Sequence, residues 1–492
     1  MNNSGGRSCL RHNDSYNATR ISPRNIFSVG SEPSLGAMWR AKLDWCYQCV
    51  VHWLRQEFLS VLSPACVAGS ACVYQNPYYS QCLPSDQVTT TVISSTTVPP
   101  SSSRSTSTTT SRTSSASAPA QTGFVKTSGT RFTLNGSKFT VVGSNAYWPG
   151  LLGYSTADIN KAFTDIANSG ATTVRTWGFN EATSPNGVYF HLWNGATATV
   201  NTGANGLQVL DTVIASAKAH GIRLIIALTN NWSDFGGMDT YTAQILGSGQ
   251  PHDAFYTNSA VIVRILVTLL ALPELPQSSF KTYVQAIVSR YVNEPTIMAW
   301  ELANEPRCGG SNTQASSSCT PTTITTWASN ISAYIKSIDS NHLVALGDEG
   351  FFNQPNNSDW NYRGTMGVDF AANMKISTLD FGTFHLYPIP WGESNYGPWG
   401  QQWIIDHATV MNSTNKPVII EEFGVTSSST RNATYASWYS TILSSGLTGD
   451  LLWQAGSQLT NSASPDDGYA IYPTDPVYAL LQQHAAQLKA RA

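Results

Sequence analysis

Apolar and polar positions in residues 123–492 alternate between two patterns. Short runs rich in β-branched and aromatic residues are followed by longer segments with apolar residues at helical spacing, as in "ADINKAFTDIANSG" and "LQVLDTVIASAKAHG". The eight strand candidates are, in chain order, "KFTVVGSNAYW", "TTVRTWGF", "RLIIALTNNW", "TIMAWELANEP", "HLVALGDEG", "LDFGTFHLYP", "KPVIIEEFG" and "GDLLWQAG". Eight strands alternating with helices predict an α/β fold, a (β/α)₈ TIM barrel.

One strand candidate, "TIMAW", lies between two copies of the tripeptide Asn-Glu-Pro. The copy at 293–295 precedes the strand and the copy at 304–306 follows it, so we expect them at opposite ends of the barrel. Active sites of such barrels gather at the carboxyl ends of the strands. Glu294 is therefore predicted to be a structural turn residue, and Glu305 is a candidate catalyst.

A second carboxylate, Glu422, ends the strand candidate "KPVIIEEFG". Two carboxyl groups at one barrel mouth suit glycoside hydrolysis, in which one protonates the leaving oxygen and the other attacks the anomeric carbon. Alternation along the strand predicts that the adjacent Glu421 points to the opposite face, where it would be packed or salt-bridged.

Composition narrows the class of partner. Charged residues make up 12% of the chain and the net charge is −3. Binding to nucleic acid or to an anionic membrane calls for clustered Lys and Arg, so we expect neither partner. Aromatic residues reach 11%, which suits core packing and stacking against sugar rings equally well.

Residues 89–122 contain 22 Ser or Thr among 34 positions. Such a segment has too few apolar residues to form a core, and it is predicted to be an extended, O-glycosylated linker. The predicted organisation is an unassigned segment at 1–44, a small disulfide-rich module at 45–84, the linker at 85–122 and the barrel domain at 123–492.

Six of the eight cysteines precede residue 83, which predicts a disulfide-stapled module and an oxidising compartment. The other two, Cys308 and Cys319, are expected to form a disulfide as well. Cys46 and Cys49 have C-x-x-C spacing, but no second pair follows, so no metal is expected. The first forty residues lack an apolar stretch as long as a secretory signal. We nevertheless expect a secreted protein, with either unconventional export or an incorrectly assigned start.

Several motifs carry a resemblance to a known family. "WELANEP" and "EEFG" together resemble glycoside hydrolase family 5, and "VRTWGFN", "TNNWSDFGGMDTYT", "WELANEPRC", "FHLYP" and "LLWQAGSQ" resemble its fungal secreted endo-β-1,4-mannanases. The similarity extends over nearly all of residues 123–492. It implies a monomeric enzyme without a cofactor that cleaves β-1,4-mannosidic bonds in mannan, galactomannan and glucomannan by retaining double displacement.

The resemblance assigns roles to individual residues. Glu305 matches the acid/base, and Asn304 matches the residue that bonds the sugar 2-hydroxyl. Glu422 matches the nucleophile, and Arg175 matches the arginine that keeps this nucleophile ionised. A buried structural salt bridge is the alternative interpretation of Arg175.

Five further residues match the cleft of this family. His385 and Tyr387 correspond to residues that line the cleft near the nucleophile, and Trp453 corresponds to the platform under the sugar at the cleavage site. Trp177 and Trp232 would extend the aromatic lining. The alternatives are a core histidine for His385 and simple packing for Trp232.

Two other functions share part of this pattern. An endo-β-1,4-glucanase of the same family would carry both glutamates, and a non-catalytic carbohydrate-binding protein would need only the module and the linker. The intact Glu305, Glu422, Arg175 and Asn304 favour an enzyme. No role beyond structure is assigned to Glu349.

The segment "ACVAGSACVYQNPYYSQCLP", residues 65–84, resembles the C-terminal half of the fungal family 1 cellulose-binding module. Aromatic rings held in a plane by disulfides stack on the flat face of crystalline cellulose, and Tyr78 and Tyr79 match two such rings. The resemblance pairs Cys66 with Cys82. The predicted partner of the module is therefore a cellulose surface.

The front half of this module departs from the family pattern. Cys49 is followed by a long stretch without glycine where the family has a short glycine-rich one. Cys72 would pair with an upstream cysteine, for which Cys49 is a candidate. The third aromatic is either Trp45 or Trp53, and the sequence leaves this choice open.

Residues 261–277, "VIVRILVTLLALPELPQ", interrupt the expected helix with an apolar stretch that is shorter than a membrane span and contains Arg264. We interpret them as a retained intron, with a genuine insertion as the alternative. In a secreted protein, Asn-X-Ser/Thr sequons permit N-glycosylation but do not require it. They lie at Asn135, Asn330, Asn356, Asn412 and Asn432. A sixth, at Asn231, falls where the cleft is expected and is predicted to be unmodified.

Overall fold

The computed structural model describes residues 70–76, 79–84, 122–262, 279–311 and 313–491. In the N-terminal part, β1 (Ser70–Asn76) pairs antiparallel with β2 (Tyr79–Pro84). Cys66 and Tyr78 of the predicted module, the predicted linker up to residue 121 and most of the 261–277 stretch lie outside the described residues. The predictions made for them remain predictions.

The rest of the described chain contains three sheets. Their strands are β3 (Val125–Ser128), β4 (Arg131–Leu134), β5 (Ser137–Phe139), β6 (Val142–Asn145), β7 (Thr173–Trp177), β8 (Glu181–Ala182), β9 (His191–Asn194), β10 (Thr197–Val200), β11 (Arg223–Ala227), β12 (Ile297–Glu301), β13 (Leu343–Ala345), β14 (Gly382–Leu386), β15 (Val418–Phe423) and β16 (Gly449–Leu452). Strands β3 to β5 form one three-stranded sheet, β8 to β10 form another, and the remaining eight form the third.

The eight-stranded sheet is parallel throughout, in the order β13-β12-β11-β7-β6-β16-β15-β14. Backbone hydrogen bonds also join the segments around its two end strands. Asp380 N donates to Val344 O at 2.8 Å, and His385 N donates to Glu349 O at 3.2 Å. The sheet therefore closes into a ring, and the predicted TIM barrel is confirmed with every strand candidate in it.

Helices follow the barrel strands and pack around them. They are α1 (Thr156–Asn168), α2 (Leu207–Ala219), α3 (Gly237–Leu246), α4 (Ala254–Thr257), α5 (Ser259–Ile262), α6 (Ser279–Tyr291), α7 (Pro321–Ile338), α8 (Phe370–Asn373), α9 (Tyr396–Thr414), α10 (Ser428–Ser445) and α11 (Pro476–Ala490). Among the described residues, none of these helices combines the length and the apolar composition that crossing a membrane requires.

The amino ends of the barrel strands are filled and covered. Inside the ring, apolar side chains such as Ile225, Ala299 and Ile419 are fully buried and form one cluster. The β3–β5 sheet packs against this cluster through Phe132, whose ring meets Phe381 edge-on with 5.3 Å between centroids. Because this end is apolar and closed, polar chemistry is confined to the opposite end of the barrel.

Candidate active site

Arg175, near the end of β7, connects the polar groups at the carboxyl end of the barrel. Its side chain is fully buried and donates to both carboxylate oxygens of Glu301 at 2.7 Å. It also donates to Asn145 Oδ1 at 3.1 Å and Asn304 Oδ1 at 2.8 Å, and to Glu422 Oε1. All five guanidinium N–H groups thus have acceptors, which is how a buried arginine retains its charge. Burial opposes that charge, but the surrounding glutamates outweigh it and raise the pKa of Arg175.

Glu301 was not predicted as a site residue. It is the last residue of β12 and is fully buried. In the sequence it stands inside the apolar run of "TIMAWELANEP", where only its charge distinguishes it. Its bidentate bond with Arg175 fixes the plane of the guanidinium, so the remaining N–H groups of Arg175 point at Asn304 and Glu422.

Glu305 has a left-handed backbone, with φ of 52°, which turns its side chain into the barrel mouth. Its Oε1 lies 2.7 Å from Nδ1 of His385, and its Oε2 accepts a hydrogen bond from Trp232 Nε1 at 2.5 Å. Burial alone would raise the pKa of Glu305. The hydrogen bond and charge of His385 outweigh burial and lower this pKa.

Glu422, on β15, is held by two donors. Tyr387 Oη donates to its Oε2 at 2.9 Å, and Arg175 donates to its Oε1. Burial raises the pKa of Glu422, and the nearby charge of Glu305 raises it further against the opposing effect of His385 and Arg175. One carboxylate oxygen of Glu422, one of Glu305 and a ring nitrogen of His385 all lie within 4.8 Å of one another.

The prediction for Glu421 was half wrong. Its carboxylate lies 3.6 Å from Nε of Arg175 and 3.8 Å from Nε2 of His385, so it is ion-paired as expected. It does not turn away from the site, however, because it contacts the same two cations as Glu422. The pairing of β14 with β15 skips Glu421, since Phe384 is opposite Ile420 and His385 is opposite Glu422. This bulge breaks the alternation on which the prediction relied.

A cleft of about 520 Å³ lies above these residues. Of the predicted site residues, its lining contains Trp177, Trp232, Asn304, Glu305, Tyr387, Glu422 and Trp453. Arg175 and His385 lie beneath the lining, where both are fully buried. Sequence reasoning missed several lining residues, namely Tyr147, Asn230, Asp234, Phe235, Arg307, Glu349, Pro390, Trp391, Asp467 and Tyr469.

Aromatic rings form one wall of the cleft. Tyr147 and Trp453 are stacked, with 5.7 Å between centroids and 7° between planes, and Trp177 lies 5.9 Å from Trp453. Trp453 Nε1 donates to Asp467 Oδ2 at 2.7 Å, which fixes the orientation of the indole. Flat rings that are held in this way offer a surface on which a sugar can stack.

Arg307 and Glu349 form an ion pair in the cleft that the sequence did not predict. The Arg307 guanidinium lies 5.1 Å from the ring centroids of both Trp232 and Phe351. Burial raises the pKa of Glu349 to about 8 against the opposing charge of Arg307. Glu349 follows β13, so the signal that singled out Glu305, a polar residue after a strand, applied to it as well.

Three remaining predictions concern the loops and the barrel floor. Cys308 and Cys319 are joined in a disulfide, directly after Arg307. Asn231 is fully buried, and its amide nitrogen donates to Gly309 O at 3.1 Å, so this sequon is inaccessible in the folded chain. Glu294 lies at the amino end of β12, where it accepts from Thr296 N at 3.0 Å, in keeping with a structural role.

The chain matches known proteins over the barrel. A family model described as "GH family 5 beta-mannosidase-like" matches residues 122–445. A protein of Aspergillus oryzae named "Probable mannan endo-1,4-beta-mannosidase A" is 40% identical over 386 residues, which cover 77% of this chain and 92% of the relative. The "Mannan endo-1,4-beta-mannosidase A" of Hypocrea jecorina is 41% identical over 359 residues, covering 72% of this chain and 75% of the relative.

Solved structures show the same likeness. The crystal structure of the endo-1,4-beta-mannanase from Rhizomucor miehei has a TM-score of 0.68 and 40% sequence identity to this chain. The match covers 75% of this chain and all of that enzyme. The family model spans seven of the eight barrel strands and the cleft residues up to Glu422.

Proposed function

Because this chain belongs to the GH family 5 beta-mannosidase-like family, we propose that it is an endo-β-1,4-mannanase that hydrolyses bonds within mannan, galactomannan and glucomannan. The observation that carries the proposed reaction is the carboxyl pair of Glu305 and Glu422, whose oxygens lie within 4.8 Å at the mouth of the barrel. The choice of mannan follows the relatives that are about 40% identical to this chain, which are named mannan endo-1,4-beta-mannosidases.

The separation of the two carboxyl groups supports a retaining mechanism. Retaining glycosidases hold these groups about 5–5.5 Å apart, whereas inverting enzymes leave roughly 6.5–9.5 Å for a water molecule. One oxygen of Glu305 and one of Glu422 lie within 4.8 Å of each other, which favours the closer, retaining arrangement over the wider inverting one. One carboxylate therefore attacks the anomeric carbon directly and forms a covalent glycosyl-enzyme.

Glu422 is the better placed nucleophile. Arg175 and Tyr387 both donate to its carboxylate, and both bonds favour the ionised form that attack requires, against the burial that raises the pKa of Glu422. The pairing of Arg175 with Glu301 keeps this cation in place while the charge on Glu422 is consumed in the new bond. Trp453, beside the nucleophile in the cleft lining, offers the ring on which the attacked sugar rests.

Glu305 is the acid/base, and His385 holds the proton that it needs. The bond between His385 Nδ1 and Glu305 Oε1 favours charged histidine and ionised glutamate. With Glu422 ionised, transfer of the Nδ1 proton along this 2.7 Å bond gives a neutral imidazole and a protonated Glu305. Glu305 then donates that proton to the leaving oxygen and, as a carboxylate, removes a proton from water in the second step.

The proposal is tested by reducing-sugar release from locust-bean galactomannan and from carboxymethylcellulose. We expect release from galactomannan and little from the cellulose derivative, with Glu422→Gln inactive on both. Activity on carboxymethylcellulose alone would replace the mannanase with an endoglucanase of the same family. Absence of activity on both, in a chain shown to be folded, would favour a non-catalytic carbohydrate-binding protein.

We also infer that the protein is secreted, that it acts as a monomer, and that its module at 45–84 attaches it to cellulose surfaces. The attachment is supported by Tyr78 and Tyr79 and by the cysteine spacing around them. Sedimentation with microcrystalline cellulose measures it, and Tyr79→Ala is expected to leave the protein in the supernatant. Equal sedimentation of both proteins would remove the module from the proposal.

A further inference from the structure

Asn231, beneath the cleft lining, connects the segment that contains Trp232 with the segment that contains Arg307. It is fully buried and precedes Trp232, which bonds Glu305. Its Nδ2 donates to Gly309 O at 3.1 Å, and its Oδ1 accepts from Arg307 N at 2.9 Å. These two bonds fix the orientation of the amide, because exchanging its oxygen and nitrogen would set like groups against each other.

The oxygen of this amide has a further partner in His252. The imidazole is fully buried, with Nε2 2.9 Å from Asn231 Oδ1 and Nδ1 2.7 Å from Asp239 Oδ1. Both ring nitrogens of His252 thus face oxygen atoms of buried side chains. Asp239, His252 and Asn231 therefore make a continuous buried relay from α3 to the backbone of Arg307.

The relay also holds the disulfide-closed segment 308–319. Thr313 Oγ1 donates to Asp239 Oδ1 at 2.6 Å, and His252 N donates to Gln314 O at 3.0 Å. At Gly310 the segment lies so close that a Cβ would overlap the imidazole of His252. The ring of His252 is thus the surface on which the segment following Arg307 rests.

The mechanism proposed above uses no part of this relay, but the relay ends at a cleft residue. The Arg307 guanidinium lies between Trp232 and Phe351 and is paired with Glu349. Since Trp232 also donates to Glu305, Arg307 adjoins the group that protonates the leaving oxygen. The sugar units on this side of the cut bond are those that depart first.

We propose that His252 is a positioning residue, which through Asn231 sets the place of Arg307 and thereby the affinity for the departing sugar units. This inference rests on the proposed hydrolysis of mannan. His252 touches neither substrate nor the reacting carboxyl groups, so its loss weakens binding and leaves the chemical step nearly intact.

A double-mutant cycle tests the inference, with kcat and KM measured on mannohexaose. We expect His252→Gln to raise KM about tenfold and to change kcat less than about twofold. In an Arg307→Ala background the same substitution is expected to leave KM unchanged, because the residue through which it acts is gone. An equal rise of KM in both backgrounds, or a fall in kcat alone, would overturn the proposal.

A matched control separates positioning from general stability. His484 is also buried and also bonded to an aspartate, with Nε2 2.6 Å from Asp450 Oδ2, but it lies on α11 away from the cleft lining. His484→Gln is expected to lower the midpoint of thermal unfolding without changing KM. Should His252→Gln fail to fold, Asp239→Asn, which keeps the acceptor oxygen and removes the charge, is carried through the same cycle with a smaller expected effect.

A second measurement, the rate of disulfide reduction, does not depend on hydrolysis of the substrate. If the relay holds segment 308–319, dithiothreitol will reduce the Cys308–Cys319 disulfide several times faster in His252→Gln than in the wild type or His484→Gln. Equal rates would overturn the positioning role even in an active enzyme. Faster reduction in a protein that releases no sugar from mannan would support the relay and refute the proposed function alone.

Discussion

The same tripeptide, Asn-Glu-Pro, occupies both ends of strand β12, and its glutamates differ in every physical respect. At the amino end Glu294 has a side chain that is 25% exposed and pairs at 3.1 Å with Lys218, which is itself 44% exposed. At the carboxyl end Glu305 is 13% exposed, has a left-handed backbone and bonds His385 and Trp232. The surroundings, rather than the tripeptide, suit one copy to the catalytic role that we propose for it.

The difference begins with what lies beneath each end. The amino ends enclose an apolar cluster, and the Glu294 carboxylate at their rim accepts hydrogen bonds from Lys218 and from Thr296 N. The carboxyl ends enclose a network of buried charge centred on Arg175 and His385. In a low-dielectric interior such charges act on one another strongly, and the protonation of Glu305 becomes dependent on its neighbours.

The largest expected effect is on enzymatic activity, which should fall on substitution of Glu305 but not of Glu294. Glu305→Gln should lower kcat/KM on galactomannan by about 10³-fold or more, because the proton for the leaving oxygen is lost. Glu294→Gln should leave kcat/KM within about twofold of wild type. Reducing-sugar assays at matched protein concentration measure both. Comparable losses in the two variants would contradict the prediction that only the glutamate at the carboxyl end is needed for activity.

The second prediction compares how much stability is lost when the cation at each end of the barrel, Arg175 or Lys218, is replaced. Arg175→Met should lower the free energy of unfolding by about 3–5 kcal/mol, because it leaves the buried Glu301 and Glu422 without their counter-charge. Lys218→Met removes an exposed partner and should cost less than about 1 kcal/mol. Urea unfolding followed by tryptophan fluorescence gives both values. A small loss in Arg175→Met would show that these carboxyl groups are neutral in the folded protein.

The third prediction concerns the pH dependence of stability and compares Glu294 with Glu181, a buried carboxyl group. Glu181 on β8 accepts from Gly237 N at 3.0 Å and Tyr241 Oη at 3.1 Å, and burial raises its pKa from 4.5 to about 8. Between these two values the unfolded chain is ionised at Glu181 while the folded chain keeps the proton. This group therefore lowers stability as pH rises through that window, by at most about 1.4 kcal/mol per pH unit.

Glu181→Gln removes the ionisable group, keeps one acceptor oxygen for Gly237 N, and should flatten the fall of stability between about pH 4.5 and pH 8. Glu294 behaves in the opposite sense. Its hydrogen bond from Thr296 and its pairing with Lys218 outweigh burial and lower its pKa, so its small contribution is present above about pH 4.5 and is lost in acid. Unfolding midpoints across this range measure both slopes, and an unchanged profile in Glu181→Gln would show that Glu181 is ionised in the folded protein.

Local sequence pattern predicted most of the barrel. Each β-branched run became a barrel strand, because parallel strands covered on both faces need continuous apolar residues. Position relative to a strand was also enough to separate Glu305 from Glu294. Both inferences depend on short-range regularities that a single chain displays.

The features that the sequence did not predict depend on how separate strands come together in the sheet. The bulge at Glu421 arises where β15 pairs with β14, and no local feature of "IIEEFG" announces it. Glu301 was hidden in an apolar run, since its partner Arg175 lies on another strand. The pair of Arg307 and Glu349 joins residues that follow different strands. Contacts of this kind exist only once the strands have assembled into the sheet.

The left-handed backbone of Glu305 implies a trade-off between conformational stability and activity. A non-glycine residue at φ of 52° carries a conformational cost of about 1 kcal/mol that glycine does not. A Glu305→Gly protein would shed this strain together with its proton donor, and the cavity left by the side chain would open room beside the cut bond. This chain carries the strained glutamate there, and an inert Glu305→Gly form would serve as a mannan-capturing reagent.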